Sequence, residues 1–289
     1  METIENEKLR VHLTRYAAAI HKIEDIGTGE VYNLVLPSEE DHLTDPSYAG
    51  NTVGSYAGRI GNAHLVIDGR CYDLDRNDRN ASLHGGLNSL RREWRLIQKD
   101  ELHVAYETHL HHLEDGLPGE RTFQVKYSLE GNELRVVLSA FSDRNTYFNL
   151  TNHTYISIEE DMRNAWMRID ADRVVLNDLE DIPKEVVAVD GTIFDFRQDR
   201  VVGNLNETEE LCFSRGLNNT YLMKGNIEIY NSRHRVEIHT DAPTAVFYMG
   251  GYLESPFSGL AVEPENYVLL SDSVEGMLSQ ERNIIYRFD

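Results

Sequence analysis

Two histidines lie in segments whose composition suits chemistry on a polar ligand. His84 belongs to NASLHGG (residues 80–86), where paired glycines let the backbone approach a ligand closely. His153 belongs to NLTNHTY (residues 149–155), a polar run that follows the apolar run 134–141 and is typical of a site on a rigid scaffold. Because the unperturbed pKa of imidazole lies near physiological pH, either histidine is a candidate proton carrier. Either one alone is also compatible with a structural role.

A carboxylate and a guanidinium complete the candidate set. Glu263 follows the apolar stretch 259–262, so we expect it partly buried at a strand end, where a carboxylate is costly unless it is paired or acts as a base. Arg59 lies among three glycines in GSYAGRIGN (residues 54–62), a pattern that predicts a tight loop presenting donors to hydroxyls or anions. The alternatives are a glutamate that faces water and an arginine that only pairs with a carboxylate.

The other potential metal ligands give weaker signals. The four histidines between residues 103 and 112 fit no standard zinc spacing, and we expect them at the surface or in a loop. Cys71 and Cys212 have neither metal-ligand spacing nor a neighbouring base, so we interpret both as small core residues. Two cysteines without a disulfide framework fit a reducing compartment. The sequence therefore predicts no metal site.

Strands rather than helices must position these side chains. Apolar and polar residues alternate in 134–141, 104–110 and 235–240, and no segment sustains helical spacing over three turns. The best short helical candidate surrounds residues 207–211. Turn signals separate the apolar runs, as in hairpins, at residues 68–69, 130–132, 190–191 and 224–226. Without a linker, a composition break or a repeat, the pattern predicts one large all-β domain over residues 1–289, built as an antiparallel sandwich or barrel.

The overall charge excludes several classes of partner. The formal net charge is −21 and the pI is about 4.9, which disfavours nucleic acid and anionic membrane surfaces. No run of about 18 apolar residues predicts a membrane span, and the N-terminus has no apolar region typical of a signal peptide. We therefore expect a cytoplasmic protein.

Taken together and in order, the four segments resemble the aldose 1-epimerase (galactose mutarotase) family. They read GSYAGRIGN, NASLHGG, NLTNHTY and AVEPENY, and softer matches extend the resemblance roughly from residue 25 to residue 285. The resemblance implies a large antiparallel β-supersandwich with an open cleft. It also implies interconversion of the α and β anomers of a free hexose by general acid–base catalysis, without a cofactor. In that scheme Glu263 is the base, His153 is the acid, His84 lies beside the ring oxygen and Arg59 holds sugar hydroxyls.

Two departures from the family's pattern bear on specificity. Asn218 stands where the family usually has an aspartate that accepts a hydrogen bond from a sugar hydroxyl; an amide accepts a weaker one. Glu265 stands where a glutamine is usual, and it would raise the pKa of Glu263 if both face the cleft. The resemblance therefore implies a substrate-binding role for Asn218 and a shifted preference among hexoses.

Several alternatives stay open at this point. One is a hexose-6-phosphate mutarotase, which would need additional cations at the cleft for the phosphate. Another is a sugar-binding protein of the same fold that has lost turnover. The sequence does not identify the preferred sugar, nor does it decide between a monomer and a homodimer. Aromatic candidates for packing against a sugar are Trp94, Tyr155, Trp166 and Phe257.

Overall fold

The computed structural model describes residues 1–87, 89–266 and 270–289, and its regular structure is almost entirely β-strand. In chain order the strands are β1 (Glu2–Glu5), β2 (Leu9–Thr14), β3 (Ala19–Asp25), β4 (Thr52–Val53), β5 (Arg59–Ile60), β6 (His64–Ile67), β7 (Arg70–Asp73), β8 (Ser82–Leu83), β9 (Arg95–Lys99), β10 (His103–Leu110), β11 (Arg121–Glu130), β12 (Glu133–Thr146), β13 (Thr151–Asn152), β14 (Tyr155–Ile156), β15 (Trp166–Asn177), β16 (Pro183–Ala188), β17 (Arg200–Val201), β18 (Asn218–Tyr230), β19 (Arg235–Thr240), β20 (Thr244–Tyr248), β21 (Leu260–Glu265), β22 (Ser273–Val274) and β23 (Met277–Phe288). Short 3₁₀ helices span Glu40–Leu43, Gly61–Ala63, Met162–Asn164 and Leu205–Glu207. The all-β prediction is confirmed.

One large antiparallel sheet organises the fold. Its strand order is β14–β21–β20–β18–β19–β23–β12–β11–β10–β9, and β15 joins it through β18 and carries β16 and β17. Every pairing given for this sheet is antiparallel. Such a sheet needs no crossover helices, because antiparallel neighbours can be joined by short turns.

Alternating side chains build the core as the sequence predicts. Leu134, Val136, Leu138 and Ala140 of β12 are all fully buried, because successive side chains of a strand point to opposite faces. A separate three-stranded sheet, β1–β2–β3, contributes its own buried residues to the same core cluster. This layering confirms the predicted antiparallel sandwich.

Local predictions had mixed outcomes. The turn at Asp68–Gly69 joins β6 to β7, and both residues have positive φ, as a tight hairpin requires. The predicted turn at 224–226 is wrong, because these residues lie inside β18, where the pairing with β15 shifts register around Ala171. The helix expected around residues 207–211 is also wrong: a 3₁₀ turn ends at Glu207 and non-helical turns follow.

The cysteine prediction is wrong as well. Cys71 and Cys212 are exposed rather than buried. Cys71 lies on β7, whose residues are exposed or half-buried, and Cys212 lies in the turns after Leu211. Composition alone favours burial of a thiol, but neither residue reaches the core in this fold.

The chain ends belong to the same core. Ile4, near the N-terminus, and Phe288, near the C-terminus, belong to the same buried hydrophobic cluster. That sharing agrees with the interpretation of residues 1–289 as one domain, which stays a prediction. No helix in the described residues is long and apolar enough to cross a membrane.

Candidate active site

A cavity of about 1040 Å³ opens where the strands β18, β20 and β21 meet several loops. Its size is at the upper end of ordinary small-molecule sites. All the residues predicted for the site line it: Arg59, His84, His153, Asn218 and Glu263. Segments far apart in the sequence therefore converge on one concave surface.

The β-strand period positions Glu263. It lies on β21, which pairs with β20 on one side and with β14 on the other. Residues two apart on a strand share a face, so Glu263 and Glu265 point the same way, and both line the cavity. Glu263 is only 3% exposed, so it is more deeply buried than a residue expected at a strand end.

Glu263 and His153 lie next to each other in the cavity. His153 Nε2 lies 3.3 Å from Glu263 Oε1, and both side chains are buried. Burial, and next the charge of Glu265, raise the pKa of Glu263 well above its usual range. Burial also lowers the pKa of His153 to about 4. A carboxyl that resists ionisation therefore lies beside an imidazole that resists protonation, and one proton can pass between them.

His84 has a defined tautomer. The backbone N–H of Gly58 donates to His84 Nδ1 at 3.3 Å, so the proton of the neutral ring resides on Nε2. Burial, and next the neighbouring His153, lower the pKa of His84 well below its usual value. The rings of His84 and His153 meet edge to face at 5.4 Å. His84 is therefore a neutral N–H donor beside the His153–Glu263 pair.

The two arginines of the cavity are held by aspartates. Arg59 Nε donates to Asp78 Oδ2 at 2.6 Å, so Arg59 both pairs with a carboxylate and lines the cavity. Arg79 Nη2 donates to Asp181 Oδ2 at 3.1 Å. The other oxygen of Asp181 accepts from Asn218 Nδ2 at 3.2 Å. Arg59 is thus presented by the short strand β5 rather than by the tight loop that its glycines predict.

The predicted role of the paired glycines is wrong. A Cβ on Gly85 would lie 2.2 Å from the carbonyl oxygen of Gly54, and one on Gly86 would lie 2.9 Å from Asp75 Cβ. Both residues also have positive φ. These glycines therefore permit close approach of protein to protein, and they do not line the cavity.

In the part of the chain that the structure describes, two groups of side chains have ligating atoms close enough together to hold a metal ion. The ligating atoms of His84, His153 and Glu263 lie within 4.8 Å of one another, as do those of His109, His111 and Glu120. The second group is at the surface, where we expected its histidines. Neither group has a recognisable metal-ligand spacing along the sequence, because the glutamate of each group comes from a different segment from its histidines.

Aromatic residues were the hardest to place from sequence. Tyr155 lines the cavity, but Trp94 is buried with its indole N–H on Leu90 O, and Trp166 stacks on Tyr230. Phe257 does not line the cavity either. Among the described residues, the other aromatic side chains that line the cavity, none of which the sequence singled out, are Tyr48, Tyr147, Phe213, Tyr248 and Tyr252.

Comparisons with known proteins identify relatives of this chain. The family described as aldose 1-epimerase matches residues 2–282. An aldose 1-epimerase from Haemophilus influenzae is 30% identical over 254 residues, which are 78% of this chain and 74% of that protein. A galactose mutarotase from Bos taurus is 28% identical over 272 residues, 89% of this chain and 79% of that one. Among solved structures, a galactose 1-epimerase from Lactobacillus acidophilus superposes with a TM-score of 0.92 at 24% identity, covering 99% of this chain and 93% of that chain.

Proposed function

Because this chain belongs to the aldose 1-epimerase family, whose members are isomerases, we propose that it interconverts the α and β anomers of a free aldohexose such as galactose or glucose. The proposed reaction is ring opening by general acid–base catalysis, rotation about C1–C2, and closure on the other face of the aldehyde. A proton acceptor and a proton donor suffice for it, and no cofactor or metal is needed.

The contact between Glu263 and His153 carries this proposal. The hydroxyl oxygen and the ring oxygen of a hemiacetal are bonded to the same carbon, so an acid and a base that act on them must themselves be neighbours. The 3.3 Å separation of His153 Nε2 and Glu263 Oε1 meets that requirement. Glu263 takes the proton of the C1 hydroxyl while His153 gives one to the ring oxygen, and closure reverses both transfers.

For catalysis, Glu263 and His153 together must hold one proton. Burial favours the neutral arrangement, in which Glu263 holds the proton, whereas catalysis uses the arrangement with ionised Glu263 and protonated His153. Hydrogen bonds from sugar hydroxyls to the ionised carboxylate would lower the cost of that transfer. The substrate thereby helps to create the reactive form of the enzyme.

Neighbouring groups have supporting roles in the proposal. The Nε2–H of neutral His84 donates toward the ring oxygen. Arg59, which Asp78 orients, and Asn218, which donates to Asp181, hold hydroxyls farther from C1.

The charge of the cavity favours a neutral sugar over a sugar phosphate. The guanidinium groups of Arg59 and Arg79 are each paired with an aspartate. The lining carboxylates outnumber them and belong to Asp45, Asp78, Asp181, Glu254, Glu263 and Glu265. A phosphate dianion would be repelled unless an unpaired cation received it. A protein that only binds sugar is also less consistent with the structure, since binding does not need two titratable groups in contact and buried.

Polarimetry tests the proposal. Freshly dissolved α-D-galactose, α-D-glucose and glucose 6-phosphate are each followed with and without the protein. We expect equilibration of a free hexose well above the spontaneous rate, and a smaller effect on the phosphate. A preference for the phosphate would favour the hexose-6-phosphate alternative, and no acceleration of any sugar would contradict the proposal.

A further inference from the structure

Glu265 is a buried carboxylate on the catalytic face of β21. It is 7% exposed, lines the same cavity as Glu263, and lies two residues beyond it on one face of the strand. The mechanism above assigns it no contact with the substrate. A carboxylate in that position is costly unless something completes its hydrogen bonds.

The protein satisfies only one side of this carboxylate. Glu265 Oε2 accepts a hydrogen bond from Asn149 Nδ2 at 3.1 Å, whereas Oε1 is buried and has no hydrogen-bond partner among the described residues. Asn149 is itself fixed, because its amide also donates to Ala57 O at 3.3 Å and its Oδ1 accepts from Asn266 N at 2.7 Å. The orientation of the carboxylate is therefore set by the protein.

Among the described residues, no cation forms a hydrogen bond with Glu265. The nearby guanidinium of Arg282 donates instead to Asp241 Oδ1 at 3.1 Å and to Asn266 Oδ1 at 2.5 Å. Arg59 is engaged by Asp78. The charged and titratable groups near Glu263 or Glu265 in the described part of the chain are Arg59, His84, Tyr147, His153, Tyr155, Arg282 and Tyr286.

A glycine keeps the space beside this carboxylate open. A Cβ on Gly58 would lie 3.5 Å from Glu265 Oε2 and 3.7 Å from Oε1, so a larger side chain at this position would cover both oxygens. Gly58 and Glu265 both line the cavity. Because Gly58 has no side chain, nothing at this position separates the unpaired oxygen from a ligand in the cavity.

We propose that Glu265 is a further substrate-binding residue, whose Oε1 accepts a hydrogen bond from a hydroxyl on C2 or C3 of the sugar. This inference rests on the proposed function, because it takes Glu263 to act at C1. Residues two apart on a strand are roughly 6.6 Å apart along it, so Glu265 reaches past the C1 hydroxyl to the adjacent ring carbons. A hydroxyl of a neutral sugar would donate the hydrogen bond that the described residues do not supply to Oε1 of this buried carboxylate.

Deoxy sugars test the contact. Glu265→Gln is compared with wild type on galactose and on its 2-deoxy, 3-deoxy and 6-deoxy forms, by calorimetric binding and by polarimetry. We expect Glu265→Gln to weaken binding and to lower kcat/KM for galactose by about 10- to 100-fold, the effect of losing a charge-assisted hydrogen bond. The loss should fall to within about threefold for either the 2-deoxy or the 3-deoxy sugar, whose missing hydroxyl removes the same bond. The 6-deoxy sugar should show the full loss.

Two further variants distinguish a hydrogen bond between Glu265 and the sugar from an effect of negative charge alone. Glu265→Asp keeps the negative charge beside Glu263 but withdraws the oxygen by one methylene, so it should show the same dependence on the missing hydroxyl. Glu101→Gln removes a negative charge from an exposed residue that does not line the cavity and should have no such effect. Thermal unfolding checks that each variant is folded.

The outcomes are distinct. An equal penalty on every sugar, or no penalty on any, would overturn the assignment of Glu265. Binding that depends on Glu265 and on one hydroxyl, but without turnover by the wild type, would contradict the proposed function and leave the assignment standing. Absence of binding to every sugar tested would contradict both.

Discussion

Substitution of Glu265 by glutamine should stabilise the protein, and the gain should grow with pH. Burial raises the pKa of this carboxyl from 4.5 to about 7, although hydrogen bonding from Asn149 and the charge of Arg282 oppose the rise. The folded protein therefore binds a proton that the unfolded chain releases. A raised carboxyl pKa costs stability as pH rises from the unfolded value to the folded value, and the cost is constant above that. Glutamine removes the titration and keeps the shape.

The magnitude follows from the size of the shift. A displacement from 4.5 to about 7, at about 1.36 kcal/mol for each pH unit, corresponds to about 3 kcal/mol. The free energy of unfolding of Glu265→Gln relative to wild type should thus increase by about 3 kcal/mol between pH 4.5 and pH 8. The accompanying fall in the pKa of Glu263 acts in the same direction, since the charge of Glu265 is one cause of its rise.

Urea unfolding at closely spaced pH values measures this difference, with tryptophan fluorescence as the probe because Trp94 is buried. Glu254→Gln is the matched control: its side chain is exposed, so the difference from wild type should vary little with pH. A stability difference for Glu265→Gln that does not change between pH 4.5 and pH 8 would refute the reasoning, since it would show that Glu265 ionises equally well in the folded and unfolded states.

Other predictions concern catalysis. Burial, and next the charge of Glu265, raise the pKa of Glu263, so kcat/KM should fall as pH rises through that raised value, where the Glu263–His153 pair loses its one proton. Glu265→Gln should move this basic limb to lower pH, and an unmoved limb would show that the charge of Glu265 does not act on Glu263. Arg59→Lys should lower kcat/KM about tenfold, mainly through KM, because lysine lacks the planar fork that Asp78 orients; unchanged kinetics would remove Arg59 from substrate binding. Prolonged dialysis against a chelator should leave the polarimetric rate unchanged, and loss of activity that zinc restores would show that His84, His153 and Glu263 act as metal ligands.

Much of the scaffold could be predicted from the sequence because strand alternation is a local signal. The buried residues of β12 follow from a period of two, and the turn at Asp68–Gly69 follows from its backbone preferences. A glycine between polar residues is ambiguous, however. The segment 224–226 resembles a turn, but β18 continues across it because β15 pairs with β18 on both sides of the segment.

The candidate site could likewise be predicted from the sequence only in part. His84, His153 and Glu263 stand out because their segments combine chemistry with a recognisable order along the chain. Asp181 gives no such signal, since its place in the site depends on which loops pack together. The aromatic lining could not be chosen for the same reason. Trp94 precedes β9 and Tyr155 begins β14, and only the assembled sandwich decides that one enters the core and the other lines the cavity.

Replacement of Glu263, the proposed base of the anomer interconversion, is the decisive experiment. Initial rates of optical rotation change of α-D-galactose are measured for wild type, Glu263→Gln and Glu101→Gln at saturating and subsaturating sugar. We expect Glu263→Gln to lower kcat about 10²- to 10⁴-fold, the usual contribution of a proton-transfer residue. Glu101 is exposed and does not line the cavity, so Glu101→Gln should retain wild-type activity. A folded Glu263→Gln protein that equilibrates galactose as fast as the wild type would contradict the assignment of Glu263 as the base.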